Sequence, residues 1–490
     1  MNTDKKVSLL EYIKQNMKDG ILPSEFSLPE EVKQNTASFA DGALDGISLF
    51  HMGHTDVTEE DMKILDKVLH AVSEGNFEDG SQLLTGFSEK NSALKSIDQF
   101  ERFIMNNTQW INAQNLYTFA VDCLNSDDKE TVKFGLEIIE VFSEPSDNIK
   151  EIIRILALSD EFTIFAVFNM MGWKDSNAEI FSAAKKVHGW GRIHAVERLE
   201  PSDSEIKDWL LSDAIFNDVY PSYSAHTVAG KINIQALAKE NLSDSQLESV
   251  SQIIFYLMDE GPVTGISGVD NADEMLSDFL TQVKNAGGGI KVYETVFHIL
   301  SDKEYESLHG VCDEIIKSEK CKACITDEVS RGKGVEIAKY LSIDFKKSLF
   351  EYMSDDFDNG YYNCSQLIGF DEYRDKVLDL FRKNLPMDEM AKGPADIMGT
   401  GREYRDYSKL AFIIQSLCAY PMCGEDFVRL GLKSPVINNR NISLRALDSW
   451  CKAKKCTLEE LSEQMYADVQ ELREKEVSSS VLENLRKYTF

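Results

Sequence analysis

The chain has 490 residues, 43% of them hydrophobic, and a formal charge of −31. Such acidity excludes nucleic acid and anionic membrane surfaces as partners, because phosphates are bound by clustered Lys and Arg, and no strongly basic block occurs. No stretch reaches the roughly 18 apolar residues of a membrane helix, the first residues lack the apolar region of a signal peptide, and the nine cysteines are scattered, so reduced thiols in the cytoplasm are expected.

Residues 8–18 place Leu9, Leu10, Ile13 and Met17 on one side of a helix that Asp19-Gly20 ends. Residues 21–56 are irregular, with Pro23, Pro29 and several glycines, and are expected to wrap the surface as a cap. Within them Ile47 to Phe50 reads as strand-like. Thr58, with Asp61 three residues on, opens a capped helix continued by Met62, Leu65, Leu69 and Val72. Further helices are predicted over 82–88 and 92–105.

From residue 112 the pattern becomes a series of helical hairpins, 112–124 with 129–142, 148–158 with 161–171, and 178–187 with 191–199. Glu144-Pro145-Ser146-Asp147 returns 56 residues later as Glu200-Pro201-Ser202-Asp203, each copy ending one helix and starting another. That spacing holds two helix pairs of about 28 residues each, within the range of helical repeats. Trp173, Trp190 and Trp209 fall near helix ends, where large rings seal joints between layers.

Beyond residue 229 helices are predicted at 247–257, 272–284, 290–300, 303–317, 335–353 and 371–384. A long loop over 385–403, with two prolines and three glycines, is of the kind that is functional or disordered. Helices return at 407–419, 424–430 and 441–452, and Thr457 with Glu460 caps a closing one.

The hairpins, with Arg192-x-x-Ala195-x-x-x-Leu199, resemble the HEAT and armadillo class of α-solenoids, which implies a curved surface for a protein or peptide. Leu9-Leu10-Glu11-Tyr12-Ile13 and the stretch Phe39-Ala40-Asp41-Gly42-Ala43-Leu44-Asp45-Gly46 resemble Firmicutes proteins named limonene hydroxylase. That likeness implies a bacterial monooxygenase. The haem-ligating Cys loop, the flavin-binding Gly-x-Gly-x-x-Gly and the paired Glu-x-x-His motifs that such chemistry uses do not occur.

Three constellations can carry chemistry. His51, His54 and Asp56 resemble the His-x-Asp motif of zinc aminopeptidase-type hydrolases; the plainer reading is a loop that caps the Thr58 helix. His309-x-x-Cys312 and Cys321-x-x-Cys324 can close on zinc, the Cys321-x-x-Cys324 pair can instead be redox-active, or else these are small buried hydrophobes at a helix joint. Arg402, Tyr404 and Arg405 on a glycine-rich loop suit an acidic or aromatic peptide, against an ordinary connection. His188, His194, His226 and His298 read as structural.

The expected fold is all-α, a HEAT-like helical-hairpin solenoid with an irregular N-terminal cap and a C-terminal helical section. Its divisions are an N-terminal cap (1–110), HEAT-like repeats (111–260), degenerate repeats (261–385), and the long loop with a C-terminal cap (386–490). The expected function is a non-catalytic protein- or peptide-binding scaffold without a cofactor, zinc being the alternative. Its acidic partner segment would meet Lys186, Arg192, Arg198 and Lys207. The rival is an enzyme, either a metal hydrolase at His51, His54 and Asp56 or the monooxygenase of the resemblance.

Overall fold

The computed structural model describes residues 7–29, 39–53, 56–142, 144–261 and 263–488. Among the described residues there is no β-strand, only two isolated bridges, Lys18 with Ile21 and Ile397 with Val436, and the protein is all-α. No described helix is long and apolar enough to cross a membrane. The chain divides into two units, Met1–Cys312 and Asp313–Phe490.

In the first unit, α1 (Leu9–Asn16), α2 (Ala43–Ile47), α3 (Glu59–Ser73), α4 (Phe77–Ser88) and α5 (Ala93–Asn106) precede the predicted hairpins. These are present as α6 (Ala113–Leu124) with α7 (Lys129–Glu140), α8 (Asp147–Leu156) with α9 (Thr163–Met171), and α10 (Ser176–Ala184) with α11 (Trp190–Arg198). They are followed by α12 (Ser204–Ser212), α13 (Ser222–Ile232), the single turn α14 (Ile234–Leu237), α15 (Asp244–Leu257), α16 (Ala272–Ala286) and α17 (Ile290–Ser301). From α5 to α17 each odd-numbered helix packs on the next odd-numbered one. Stacked pairs of this kind are compatible with a helical solenoid.

The duplicated junction shows how one residue moves a helix start. In the first copy the cap position falls on Ser146, and α8 begins at Asp147. In the second, the extra residue shifts the cap to Asp203, whose carboxylate accepts the Ile206 N–H at 3.0 Å.

Three of the odd-numbered helices are buried almost all round. Every residue from Val132 to Ile139 of α7 and from Trp190 to Val196 of α11 is buried, and α9 exposes little besides Met171. A helix buried on all sides needs cover on both flanks, and residues 39–53 lie across α7 and α11. The fit is close. Gly42 has φ +73° and donates its N–H to Glu161 Oε2 at 2.9 Å, and a Cβ there would strike the Asp160 carbonyl. A Cβ on Gly46 would enter the Trp190 ring.

The run Ile47 to Phe50 is not extended as its pattern suggests. It forms the end of α2 and a π-helical turn, Ser48–Met52, that sets the Phe50 ring 5.7 Å from Trp190 and 5.3 Å from Tyr223. A short apolar run fits strand or helix equally by period, and among the described residues no strand lies beside this one to pair with it.

Charge fixes the same segment. The Lys133 ammonium, almost fully buried, meets Asp45 at 2.7 Å, Glu130 at 2.8 Å and Glu161 at 2.6 Å. Lys129 bonds Asp41 at 2.8 Å. Burial disfavours the Lys133 cation, but Glu130, Glu161 and Asp45 outweigh it and hold its pKa well above the usual lysine value.

The division between the units falls within α18 (His309–Ile316). The second unit continues through α19 (Glu319–Glu328), α20 (Val335–Tyr340), α21 (Lys346–Asp355), the single turns α22 (Phe357–Gly360) and α23 (Cys364–Leu367), and α24 (Asp371–Asn384). After the turn α25 (Met387–Met390) come α26 (Arg405–Leu417), α27 (Glu425–Leu432), α28 (Ile437–Lys454), α29 (Leu458–Leu461), α30 (Glu463–Lys475) and α31 (Ser479–Lys487). The loop over 385–403 is tied down. Gly393 N–H donates to Lys433 O at 2.8 Å, Ile437 N–H to Ile397 O at 2.9 Å, and Arg440 Nη2 to Ala395 O at 2.9 Å.

Candidate functional site

Where the turns of successive hairpins meet the N-terminal segment, the first unit holds a cavity of about 410 Å³. Five short stretches wall it: 22–26, 40–41, 158–160 between α8 and α9, 186–190 between α10 and α11, and 218–219 before α13. The walls exist because hairpin turns must leave the core, while Asp218 N–H donates to His188 O at 2.6 Å and ties two turns together.

Asp160 organises the inner end. One of its oxygens, Oδ1, accepts the N–H groups of Gly189 at 3.1 Å and Gly191 at 2.7 Å, so a carboxylate from the neighbouring hairpin caps α11. Burial pushes its pKa up to about 7, against those two N–H groups and helped by repulsion from Asp41 and Asp218. Ser159 beside it is buried, and its hydroxyl has no hydrogen-bond partner among the described residues.

A run of aromatic rings leads away from the cavity. Trp190, in its wall, contacts Tyr223 at 5.0 Å, and one turn back Tyr220 meets Tyr256 of α15 at 6.0 Å. Tyr256 contacts Phe255, which meets His298 of α17 at 5.1 Å. Tyr220 is 47% exposed and the other rings beyond Trp190 are half-buried. Asp259 sits at this run, accepting from Ser222 Oγ at 3.2 Å, and repulsion from it adds to burial in raising the Tyr220 pKa.

A second ionisable group lies on α5 and α7. Glu137 is fully buried with both oxygens unpartnered among the described residues, and burial followed by repulsion from Glu101 and Glu140 keeps its pKa well above the usual carboxylate range. Burial and Glu101 also push Glu140 up to about 8.

The basic residues expected to form a strip are spread among different tasks. Arg192 is buried, donating to Asp213 O at 3.0 Å and lying over the Trp209 ring. Arg198 bonds His194 O and Glu197 and lies over Phe168. Lys207 is exposed on α12, and Lys186 lines the cavity. In the second unit Arg402 and Tyr404 form a 3-10 turn before Arg405 opens α26, both arginines exposed.

Among the described residues no three His, Cys, Asp or Glu side chains are grouped to hold a metal ion. His51 Nε2 is 2.6 Å from the Tyr223 hydroxyl, Asp56 lies in the loop before α3, and His54 falls outside the described residues. His309 donates from Nε2 to Asp302 O at 2.7 Å, and burial pushes the Cys312 and Cys321 thiols up to about 12, while Cys324 is half-buried.

Asp160, Asp218, Tyr220, Tyr223 and Tyr256 carry no motif, so the sequence reading missed them as site residues. The one available signal was that Trp190, Asp160 and Asp218 all fall at hairpin turns. No protein-family model, curated protein or solved structure matches this chain, so neither the HEAT likeness nor the limonene hydroxylase likeness gains support from a relative.

Proposed function

We propose that this chain is a non-catalytic binding scaffold of HEAT-like helical hairpins whose first unit takes an extended protein or peptide segment along the aromatic run. The observation that carries this reading is that the rings of Tyr223, Tyr220, Tyr256, Phe255 and His298 cross three successive odd-numbered helices while staying partly exposed. Aromatic side chains on a firm backbone give contact area at small entropic cost and dominate binding hot spots. Rings spaced along stacked helices suit a segment that follows the stack.

Charge sets the kind of segment. Arg192 and Arg198 are engaged internally, whereas Asp259 borders the rings and Asp218 lies beside Trp190 in the cavity wall from which they lead. The favoured segment therefore bears Lys or Arg between apolar residues, since cations are attracted both to carboxylates and to ring faces. This reverses the acidic partner expected from the basic residues alone.

The test is an array of short peptides varying in charge and aromatic content, probed with the full chain and with its Tyr220→Ser/Tyr256→Ser variant. Basic peptides should be retained by the parent and weakened about tenfold or more in the variant, a loss of about 1.4 kcal/mol. Selection of acidic peptides, or equal retention by both proteins, would overturn the reading.

A further inference from the structure

The cavity at the hairpin turns contains polar groups of two kinds. Asp41 and Asp160 are engaged, the first with Leu28 N–H at 2.8 Å and Lys129 at 2.8 Å, the second with Gly189 and Gly191. Four others make no hydrogen bond or ion pair with their side chains among the described residues: the Lys186 ammonium, the Asp218 carboxylate, the His188 ring and the buried Ser159 hydroxyl. The remaining wall is largely apolar, from Leu22, Phe26, Val187, Val219 and the Trp190 ring.

We propose that this cavity is a binding site for a small zwitterion, an ammonium and a carboxylate on one apolar body, as in a free amino acid or a dipeptide. One cation and one anion, neither in a hydrogen bond or close ion pair among the described residues, line the same space without meeting each other; the Arg192 guanidinium attracts Asp218 only from a longer range. A ligand with a single charge would leave one of them unanswered, whereas a zwitterion pairs its carboxylate with Lys186 and its ammonium with Asp218. Ser159 adds a hydroxyl that gains a partner on binding, and a buried polar group is costly until it has one. The apolar wall takes the side chain.

Size sharpens the assignment. Ligand cavities are commonly about 300–1000 Å³, and this one, at about 410 Å³, lies at the small end. Asp218 and His188 are exposed at its edge and mark the way in. The inference stands on the cavity alone and does not depend on the peptide reading of the aromatic run.

The experiment is calorimetric titration of the full chain with leucine, phenylalanine and the dipeptide Leu-Leu, beside N-acetyl-leucine, which lacks the ammonium, and leucinamide, which lacks the carboxylate. At least one free compound should bind saturably, and blocking either end should weaken it about tenfold or more. Whether the amino acids or the dipeptide bind identifies the source. Asp218→Asn should weaken the parent ligand but not its acetylated form, and Lys186→Met the parent but not its amide. Both residues lie outside the packed core, and circular dichroism of each variant establishes that it folds. Absence of saturable binding by all three free compounds, equal binding of the blocked ones, or variants that treat free and blocked ligands alike would overturn the proposal.

Discussion

Arg440 donates from Nε and Nη2 to the two carboxylate oxygens of Glu476, at 2.7 and 2.9 Å, with both side chains fully buried. The same guanidinium reaches Ser434 O and Ala395 O, and Glu476 also accepts the N–H groups of Val477 and Ser478. One ion pair thus joins the loop over 385–403, the turn before α28 and the link from α30 to α31. Replacing one member leaves an uncompensated buried charge. Arg440→Met should therefore cost about 3–5 kcal/mol in urea unfolding and speed hydrogen exchange around Ala395. The double variant with Glu476→Leu should recover part of the loss, and a loop exchanging as slowly as the parent's in Arg440→Met would contradict the joining role.

Lys133 has the equivalent position in the first unit. Its removal leaves Asp45, Glu130 and Glu161 facing one another without a cation. Lys133→Met is expected to destabilise the unit by about 3–5 kcal/mol and to open residues 39–53 to limited proteolysis before α7 itself unfolds. Cleavage patterns identical to the parent's would show that the apolar contacts of Phe50 and Ala43 suffice.

Asp160 and Glu140 make stability depend on pH. Their folded values of about 7 and about 8 lie above the ordinary 3.8 and 4.5, so folding takes up protons. For such groups stability is greatest below the ordinary values, falls as pH rises through the interval, and levels off above the folded values. Asp160→Asn should flatten the fall between about pH 4 and 7, and Glu140→Gln the fall between about pH 4.5 and 8, each by about 1–3 kcal/mol. Melting temperatures across that range decide it, and a variant whose curve stays parallel to the parent's would remove that group from the account.

The thiols offer a simpler check. With pKa values near 12 forced by burial, Cys312, Cys321 and Cys364 should alkylate far more slowly than ordinary cysteines at neutral pH. Mass spectrometry after timed iodoacetamide treatment reads this site by site. Rapid labelling of Cys321 would mean that α19 opens readily.

Hairpins were legible because their signals are local. Apolar period, the Pro-Ser-Asp junctions and the Thr58 and Thr457 caps act within a few residues, and both of those caps form in the structure as hydrogen-bonded boxes, as does one at Ser243 that the sequence reading passed over. The cavity was not legible, since its walls come from stretches up to about 190 residues apart and each contributes only two to five residues. The arginines misled for a related reason. Charge composition shows that a guanidinium is present but not that Trp209 and the Asp213 carbonyl already engage it.

The lysine-bound N-terminal segment also has a consequence for synthesis. Asp45 emerges 88 residues before Lys133, and Gly42 119 residues before Glu161. At roughly 5–20 residues per second, the segment waits on the order of ten seconds at the ribosome before its binding surface exists. Its carboxylates keep it hydrated over that interval, and its glycines keep it pliant. A segment made well before its partners is thus among the last to settle, closing over helices that must already be standing.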